Sequence, residues 1–226
     1  MAPPYPVPDG PHNDRWKPLL RFATAIWDEI SARHKIAVPL RIGGGSMLLR
    51  RYRHRRSWDL DLFVSDVRFV RWASPVHNAA AADLFPDHQE EATALKLVIG
   101  MQELDVIAAA PVFDPDAVEE AVLLDRAVLI ERPREILAKK LIYRGRRLQP
   151  RDVFDFSTVA VEEPVEVAAL VTVLPPVVID GIAERLDAIA GSFITDVGKA
   201  VDPFPEFEPL LKTGLDIMRQ TVAAWR

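Results

Sequence analysis

The sequence contains no cysteine among its 226 residues. This absence excludes disulfide bonds, thiolate metal sites and cysteine nucleophiles. A long apolar run is also missing, because the longest one, residues 167–179, has 13 residues and is broken by two prolines. A membrane-spanning helix needs about 20 apolar residues, so none is expected. The start, MAPPYPVPDG, resembles no signal peptide, which favours a disordered tail over residues 1–12 of a cytoplasmic protein.

Several familiar functional motifs are missing as well. The sequence has no G-x-x-x-x-G-K-[ST] and no G-x-G-x-x-G, so the usual mononucleotide and dinucleotide loops are excluded. None of the five histidines lies at H-x-x-x-H spacing, and no serine lies within G-x-S-x-G. These absences argue against zinc catalysis and against a hydrolase-type serine nucleophile.

Charge is in slight acidic excess and is unevenly distributed. The net charge is −5, with 49% hydrophobic and 27% charged residues, which is ordinary for a globular protein. Residues 1–61 hold 11 Lys/Arg against 6 Asp/Glu, whereas residues 162–226 hold 5 against 11. This asymmetry is compatible with an anionic ligand near one end, and equally with solvated charged faces.

Hydrophobic periodicity predicts an α/β (α+β) half followed by a helical half, divided near residue 131. The first half is expected to begin with an amphipathic helix capped at Asn13-Asp14, and to contain a hairpin joined across Gly100. The other expected elements are strands over 38–42, 58–64 and 122–130 (the last a strand or a strand pair), hairpin strands over 93–99 and 103–109, and helices over 47–52 and, with a break near Ser74-Pro75, 66–84.

The feature that points to chemistry is the alternation in Trp58-Asp59-Leu60-Asp61-Leu62. It places the two carboxylates on one face of a strand, about 6–7 Å apart. Their mutual repulsion would be relieved by hard divalent ions with oxygen ligands, Mg²⁺ before Zn²⁺. Upstream, Gly43-Gly44-Gly45-Ser46 forms a strand-to-helix turn whose backbone N–H groups could approach a phosphate. Taken alone, the two acids could be solvated surface residues, and the glycines could form an ordinary tight turn.

In combination, RIGGGSMLLRRYRHRRSWDLDLF resembles the nucleotidyltransferase superfamily signature, with 12 residues between Ser46 and Asp59. The segment Arg55–Phe63 resembles the R-x-S-x-D-L-D-L-F form of the AbiEii/AbiGii-type toxin nucleotidyltransferases. A later block, EILAKKL followed by RDVFD, is similar to the same family's E-I-x-A-x-K-L…R-D-x-x-D block. The third glycine, Gly43, departs from the signature, where a hydrophobic residue is usual.

The resemblance implies a nucleotidyltransferase-type mixed-sheet core over residues 13–131 and a helical region over residues 132–226. It implies that Asp59 and Asp61 hold two Mg²⁺ ions. Asp105 is the candidate for the third acid, and its neighbour on the same strand face, Glu103, is the alternative. Gly44, Gly45 and Ser46 would hold the triphosphate of an NTP.

Positively charged residues complete the implied site. Lys140 matches the family lysine that would neutralise phosphate charge, with Lys139 as the alternative. The acidic residues of the later block are Asp152 and Asp155. The basic segment 50–56 could contact RNA or triphosphate, or could be a solvated loop, and Arg55 is its member within the motif.

The implied activity is transfer of NMP from an NTP to an acceptor hydroxyl. By resemblance the acceptor is RNA, with tRNA favoured, and the protein is the toxin of a toxin–antitoxin or abortive-infection system with a possible antitoxin partner. One alternative is modification of a protein or small molecule. The acidic C-terminal region weakens the tRNA case, because RNA binding calls for basic surface. Another alternative is a non-catalytic nucleotide- or partner-binding module of the same fold.

Overall fold

The computed structural model describes residues 15–226. The tail expected over residues 1–12 and the cap expected at Asn13-Asp14 lie outside these residues. Contacts divide the chain into two compact units. Of the described residues, unit 1 contains those up to Met47, Ser57–Pro111 and Val118–Glu131, and unit 2 contains Leu48–Arg56, Val112–Ala117 and Arg132–Arg226. The domains inferred over 13–131 and 132–226 stay predictions.

One seven-stranded sheet forms the centre of unit 1 as described. Its strands are β1 (Leu40–Gly43), β2 (Leu60–Val64), β3 (Asp87–Glu90), β4 (Ala94–Ile99), β5 (Gln102–Ala108), β6 (Val118–Leu123) and β7 (Arg126–Glu131). Their order in the sheet is β3-β4-β5-β2-β1-β7-β6. The pairs β1–β7 and β2–β5 are parallel, and the other neighbours are antiparallel. This mixed sheet confirms the expected fold class.

Helices of unit 1 pack against this sheet through apolar stripes. The helix α1 (Trp16–His34) buries Leu19, Ile26 and Ile30 at helical spacing and contacts β2 and β5. Helix α2 (Gly44–Tyr52) passes from unit 1 into unit 2, and α3 (Arg68–Ala73) and α4 (Ala79–Leu84) follow β2. The break predicted near Ser74-Pro75 is confirmed by the separation of α3 from α4.

Three local differences from the predicted elements have physical reasons. Strand β3 was not predicted because all four of its side chains are exposed and polar, so no apolar alternation marks it. Helix α2 begins at Gly44 rather than Met47, so the glycines lie in its first turn. The pattern over 122–130 is part of a strand pair, β6–β7, whose turn residues Leu124 and Asp125 both have positive φ.

Unit 2 is helical. Its helices are α5 (Pro133–Arg144), α6 (Pro150–Glu162), α7 (Pro164–Ala168), α8 (Pro176–Ile189), α9 (Phe193–Ala200) and α10 (Leu210–Ala224). Helix α6 buries Phe154 and Phe156, each contributing about 1.5–3 kcal/mol by transfer from water. Gly214 lets α10 approach α6, where the Ser157 hydroxyl donates to the Gly214 carbonyl at 2.7 Å. Among residues 15–226, no helix combines the length and apolar character needed to cross a membrane.

Candidate active site

Strand pairing brings the predicted acids of unit 1 together. Asp61 lies on β2 directly opposite Asp105 on the parallel strand β5, and opposite Gly43 on the antiparallel strand β1. Asp59 comes immediately before β2, on the same face as Asp61. The intervening Leu60, like Leu62, is fully buried on the other face, so the alternation seen in the sequence orients the carboxylates.

The environments of Asp105 and Glu103 differ. Burial, followed by the negative charge of Asp61, raises the pKa of Asp105 to about 7, although Lys96 partly opposes this effect. Lys96 forms an ion pair with Glu103 and lies 4.0 Å from Asp105 Oδ1. Glu103 also donates its backbone N–H to Asp59 Oδ1 at 3.1 Å. Glu103 is thus neutralised by a lysine, whereas Asp105 mainly faces other carboxylates.

Gly44 is the point where the glycine-rich turn meets the acids. Its φ is +72°, and a Cβ there would lie 2.6 Å from Asp61 Cγ and closer still to Oδ2. A side chain at this position would collide with the carboxylate, and the backbone conformation disfavours L residues. The first turn of α2 therefore lies directly beside Asp61.

Ser46 has an internal structural contact. The buried hydroxyl donates to the backbone carbonyl of Asp59 and lies 3.2 Å from the Ser57 hydroxyl. These bonds join the start of α2 to the residues preceding β2. The contribution of Ser46, Gly44 and Gly45 to triphosphate binding stays a prediction.

The donor chemistry of Asp59, Asp61 and Asp105 fits a hard divalent ion, since all are carboxylates and their mutual repulsion would be relieved by a cation. In their present conformations, no three His, Asp or Glu side chains of the described chain are grouped so as to hold a metal ion. The three carboxylates therefore have the right chemistry, while their role as ligands stays a prediction.

The predicted cationic residues lie in unit 2, in a buried ionic cluster around Asp155. Lys140 Nζ donates to Asp155 Oδ2 at 2.8 Å and to Asp152 Oδ1 at 2.7 Å. Arg55 donates to both oxygens of Asp155, at 2.6 and 2.9 Å, and His54 Nε2 lies 2.9 Å from Oδ1. Burial alone would raise the pKa of Asp155, but Arg55 and Lys140 hold it well below its usual range.

The adjacent lysines are distinguished by their partners. Lys139 pairs with Glu135 at 3.3 Å, and the Glu135 carboxylate accepts the backbone N–H groups of Val112 and Phe113. Lys139 thus lies beside an acid that anchors a loop, whereas Lys140 belongs to the Asp155 cluster. The roles of Lys140 and Arg55 toward an NTP stay predictions.

The basic segment 50–56 is largely engaged by acids of unit 2. Arg51 pairs with Glu163 at 2.7 Å, Arg55 pairs with Asp155, and Arg56 pairs with Asp202. Sequence reasoning missed these bonds because the acids follow about 100 residues or more later. The surplus of acids over residues 162–226, which includes Glu163 and Asp202, was the only available signal.

Comparison with known proteins identifies a family for the chain. A family model described as the nucleotidyl transferase AbiEii toxin of type IV TA systems matches residues 31–180, which include both motif blocks. None of the curated proteins compared with the chain is significantly similar to it.

Solved structures share the fold at low sequence identity. An H. pylori protein described as a nucleotidyltransferase is 13% identical, with a TM-score of 0.54 over 94% of this chain and 95% of its own. JHP933 from Helicobacter pylori is 15% identical, with a TM-score of 0.52 over 91% and 89%. MenT4, a nucleotidyltransferase toxin from Mycobacterium tuberculosis, is 14% identical, with a TM-score of 0.47 over 92% of this chain and 82% of its own.

Proposed function

The chain belongs to the AbiEii nucleotidyltransferase toxin family, and from this premise we propose that it transfers NMP from an NTP to a hydroxyl group of RNA. The observation that carries the proposal is the position of Asp61, which lies opposite Asp105 and against the Gly44 turn. Acidic side chains and the backbone N–H groups at a helix start are the two elements that this chemistry needs. Both occur within unit 1.

Asp59, Asp61 and Asp105 would hold the metal, which we propose to be two Mg²⁺ ions. When bound, such ions polarise the phosphate and offset the negative charge of the leaving group. Asp61 occupies the central position in this set because its strand pairs with the strand of Asp105 and with the strand that leads into α2.

The start of α2 is the proposed site for the triphosphate. The backbone N–H groups of Gly44, Gly45 and Ser46 lie at the positive end of the helix dipole, where anions are favoured. Because Gly44 has no side chain, the start of α2 lies against Asp61, so a phosphate at the helix start would be next to a metal ion held by Asp61. Lys140 and Arg55 are proposed to contribute positive charge toward the NTP.

In the transfer step, the acceptor hydroxyl oxygen forms a bond to the α-phosphorus of the NTP. The bond between that phosphorus and the oxygen bridging to the β-phosphorus breaks, and pyrophosphate leaves with the electron pair. The hydroxyl proton passes to the Asp105 carboxylate, which we propose as the closest acid to the attacking oxygen. We further propose tRNA as the favoured acceptor, toxicity as the biological outcome and an antitoxin as the partner.

The test is transfer of label from each of four α-³²P NTPs, with Mg²⁺, into total RNA and total protein of a host lysate. Wild type is compared with Asp59→Ala and with Asp83→Ala, which alters an exposed acid on α4. We expect label in small RNA, lost in Asp59→Ala and retained in Asp83→Ala. Label in protein instead of RNA, or label in neither fraction, would overturn the RNA proposal.

A further inference from the structure

A group of basic and aromatic side chains at the surface of unit 1 is not used by the proposed chemistry. We call it the α1–α3 surface; it consists of Arg33 and His34 at the end of α1, Arg68, Phe69, Arg71 and Trp72 on α3, and His77 just beyond. Contacts join His34, Arg68 and Phe69 to Trp72, and Arg33 and Arg71 to His77. The two groups are adjacent in sequence at Arg33-His34 and at Arg71-Trp72.

Trp72 is the aromatic centre of this surface. The His34 ring stacks on the indole at 3.9 Å between centroids with an interplanar angle of 16°, and Phe69 approaches edge-on at 5.0 Å. The guanidinium carbon of Arg68 lies 5.5 Å from the indole centroid. Trp72 is only partly buried, so part of this aromatic group is accessible to solvent beside a cation.

Positive charge surrounds the aromatic group. Arg71 is exposed, donates to His77 Nε2 at 3.2 Å and has no acidic partner among residues 15–226. The side chains of Arg33 and Arg68 are 54% and 69% exposed, although each also pairs with a carboxylate of its own helix or of the preceding turn. The surface therefore carries excess positive charge on a chain whose net charge is −5.

We propose that the α1–α3 surface is a docking site for a single-stranded or loop segment of the RNA acceptor. Exposed arginines would contact phosphates, and the Trp72 group would contact an unpaired base, which is how single-stranded RNA is commonly bound. An acidic protein would also pair with the arginines, but it has no need of a partly exposed indole between them. This inference deepens the proposed function and rests on it for the identity of the RNA as acceptor.

The location of this surface indicates what it would do. The buried residues Leu60 and Leu62 point to the side of the sheet that α1 covers, whereas Asp61 alternates to the opposite side. We infer that the α1–α3 surface does not share the sheet face of the carboxylates, and that it would hold the body of an RNA rather than its reacting end. Its loss should raise KM for a long RNA and leave transfer to a short acceptor oligonucleotide unchanged.

The test uses the full chain and charge reversal at two exposed positions, Arg68→Glu with Arg71→Glu. The matched control reverses two exposed lysines of unit 2, Lys199→Glu with Lys212→Glu. Binding of a fluorescently labelled tRNA fraction is measured by anisotropy without NTP, at several salt concentrations. We expect at least about tenfold weaker binding for the first variant, and a salt slope smaller by about 1.4, since each lost single-strand phosphate contact accounts for about 0.7. The control should bind as wild type does.

Trp72→Phe adds a readout of the base contact. RNA should quench tryptophan emission of wild type more than that of Trp72→Phe, while thermal melts establish that both proteins are folded. We call the double variant Arg68→Glu, Arg71→Glu the α3 variant. RNA binding equal to that of wild type, or a loss of binding equal to that of the lysine control, would overturn the inference. Displacement of the RNA by polyglutamate at matched ionic strength would also overturn it, in favour of an acidic protein partner.

Failure of the inference can be distinguished from failure of the proposed function. If the α3 variant loses RNA binding but wild type transfers no label to RNA, the docking surface stands and the proposed reaction fails. If wild type labels RNA and the α3 variant labels long RNA with an unchanged KM, the reaction stands and the docking surface fails.

Discussion

Replacing Asp105 by Asn should stabilise the metal-free protein at pH 8. The pKa of Asp105 is raised to about 7 by burial and by Asp61, so the folded protein holds this group as a carboxylate at pH 8 only at a cost. Asn has nearly the same shape and no charge. Removing the charge should therefore relieve repulsion without opening a cavity.

The size of the effect follows from the displacement of the pKa from 3.8 to about 7. Each pKa unit corresponds to about 1.4 kcal/mol, which sets an upper limit of about 4 kcal/mol. Because the Asp105 side chain is 24% exposed and solvent weakens such effects, we expect about 2 kcal/mol of stabilisation. For a chain of this size that is a rise in Tm of about 4–8 °C.

The dependence on pH has a definite sign. Between pH 3.8 and 7, folded wild type binds a proton at Asp105 that the unfolded chain has lost, so its free energy of unfolding falls as the pH rises. The advantage of Asp105→Asn should therefore be absent near pH 4 and grow until pH 7–8. Adding Mg²⁺ at pH 8 should stabilise wild type more than the variant, because the variant lacks one proposed ligand.

The assay is thermal unfolding followed by circular dichroism in EDTA at several pH values, with Asp83→Asn as the exposed control. A Tm at pH 8 equal to or below that of wild type would refute the electrostatic reasoning. A gain of equal size at pH 4 would also refute it, because Asp105 is then protonated in folded wild type.

Three further changes test other parts of the structure. Asp155→Asn should cost about 3–5 kcal/mol in urea unfolding, because buried cations lose their partner, whereas Asp187→Asn at an exposed ion pair should change stability by less than about 1 kcal/mol. Gly44→Ala should abolish label transfer and destabilise the protein, whereas Gly198→Ala, with open space around its Cβ, should gain about 0.5–1 kcal/mol. Burial lowers the pKa of His54, so the free energy of unfolding should fall as the pH drops below about 6.5, where the unfolded chain binds a proton that the folded protein does not. The contribution of His54 is the difference between the free energies of unfolding of wild type and His54→Gln, measured in urea at each pH.

A specific outcome would contradict each of these three predictions. An Asp155→Asn loss no larger than that of Asp187→Asn would contradict the buried cluster. A fully active Gly44→Ala protein would contradict the close approach to Asp61. Identical pH dependence in wild type and His54→Gln would contradict the neutral, buried imidazole.

The parts of the fold that could be predicted are those where one face of an element is buried. Strand β2 was evident because Leu60 and Leu62 alternate with acids, and the fold class and family follow from its combination with the glycine turn. Strand β3 could not be found, because its four side chains are all exposed and leave no periodic signal. An apolar alternation in the sequence indicates a buried strand face, and an exposed edge strand has no buried face to indicate.

The candidate site was predictable in its local motif and not in its long-range pairing. The spacing of Asp59 and Asp61 predicts that they share one strand face, and their role as site residues stays a prediction. The difference between Glu103 and Asp105 depends on Lys96, which strand pairing brings to them. Likewise, the arginines of segment 50–56 do not reveal from the sequence which acids form ion pairs with them. Partners distant in sequence become apparent only when the fold is known.

The three-segment composition of unit 2 limits how this protein can be rearranged by recombination. Residues 132–226 contain Asp155 and Lys140, but His54 and Arg55 come from the short insertion Leu48–Arg56. A gene fusion that transferred only the C-terminal stretch would carry a buried aspartate and lysine without the other two members of their network. A functional transfer of unit 2 would therefore have to include Leu48–Arg56 as well as the C-terminal stretch.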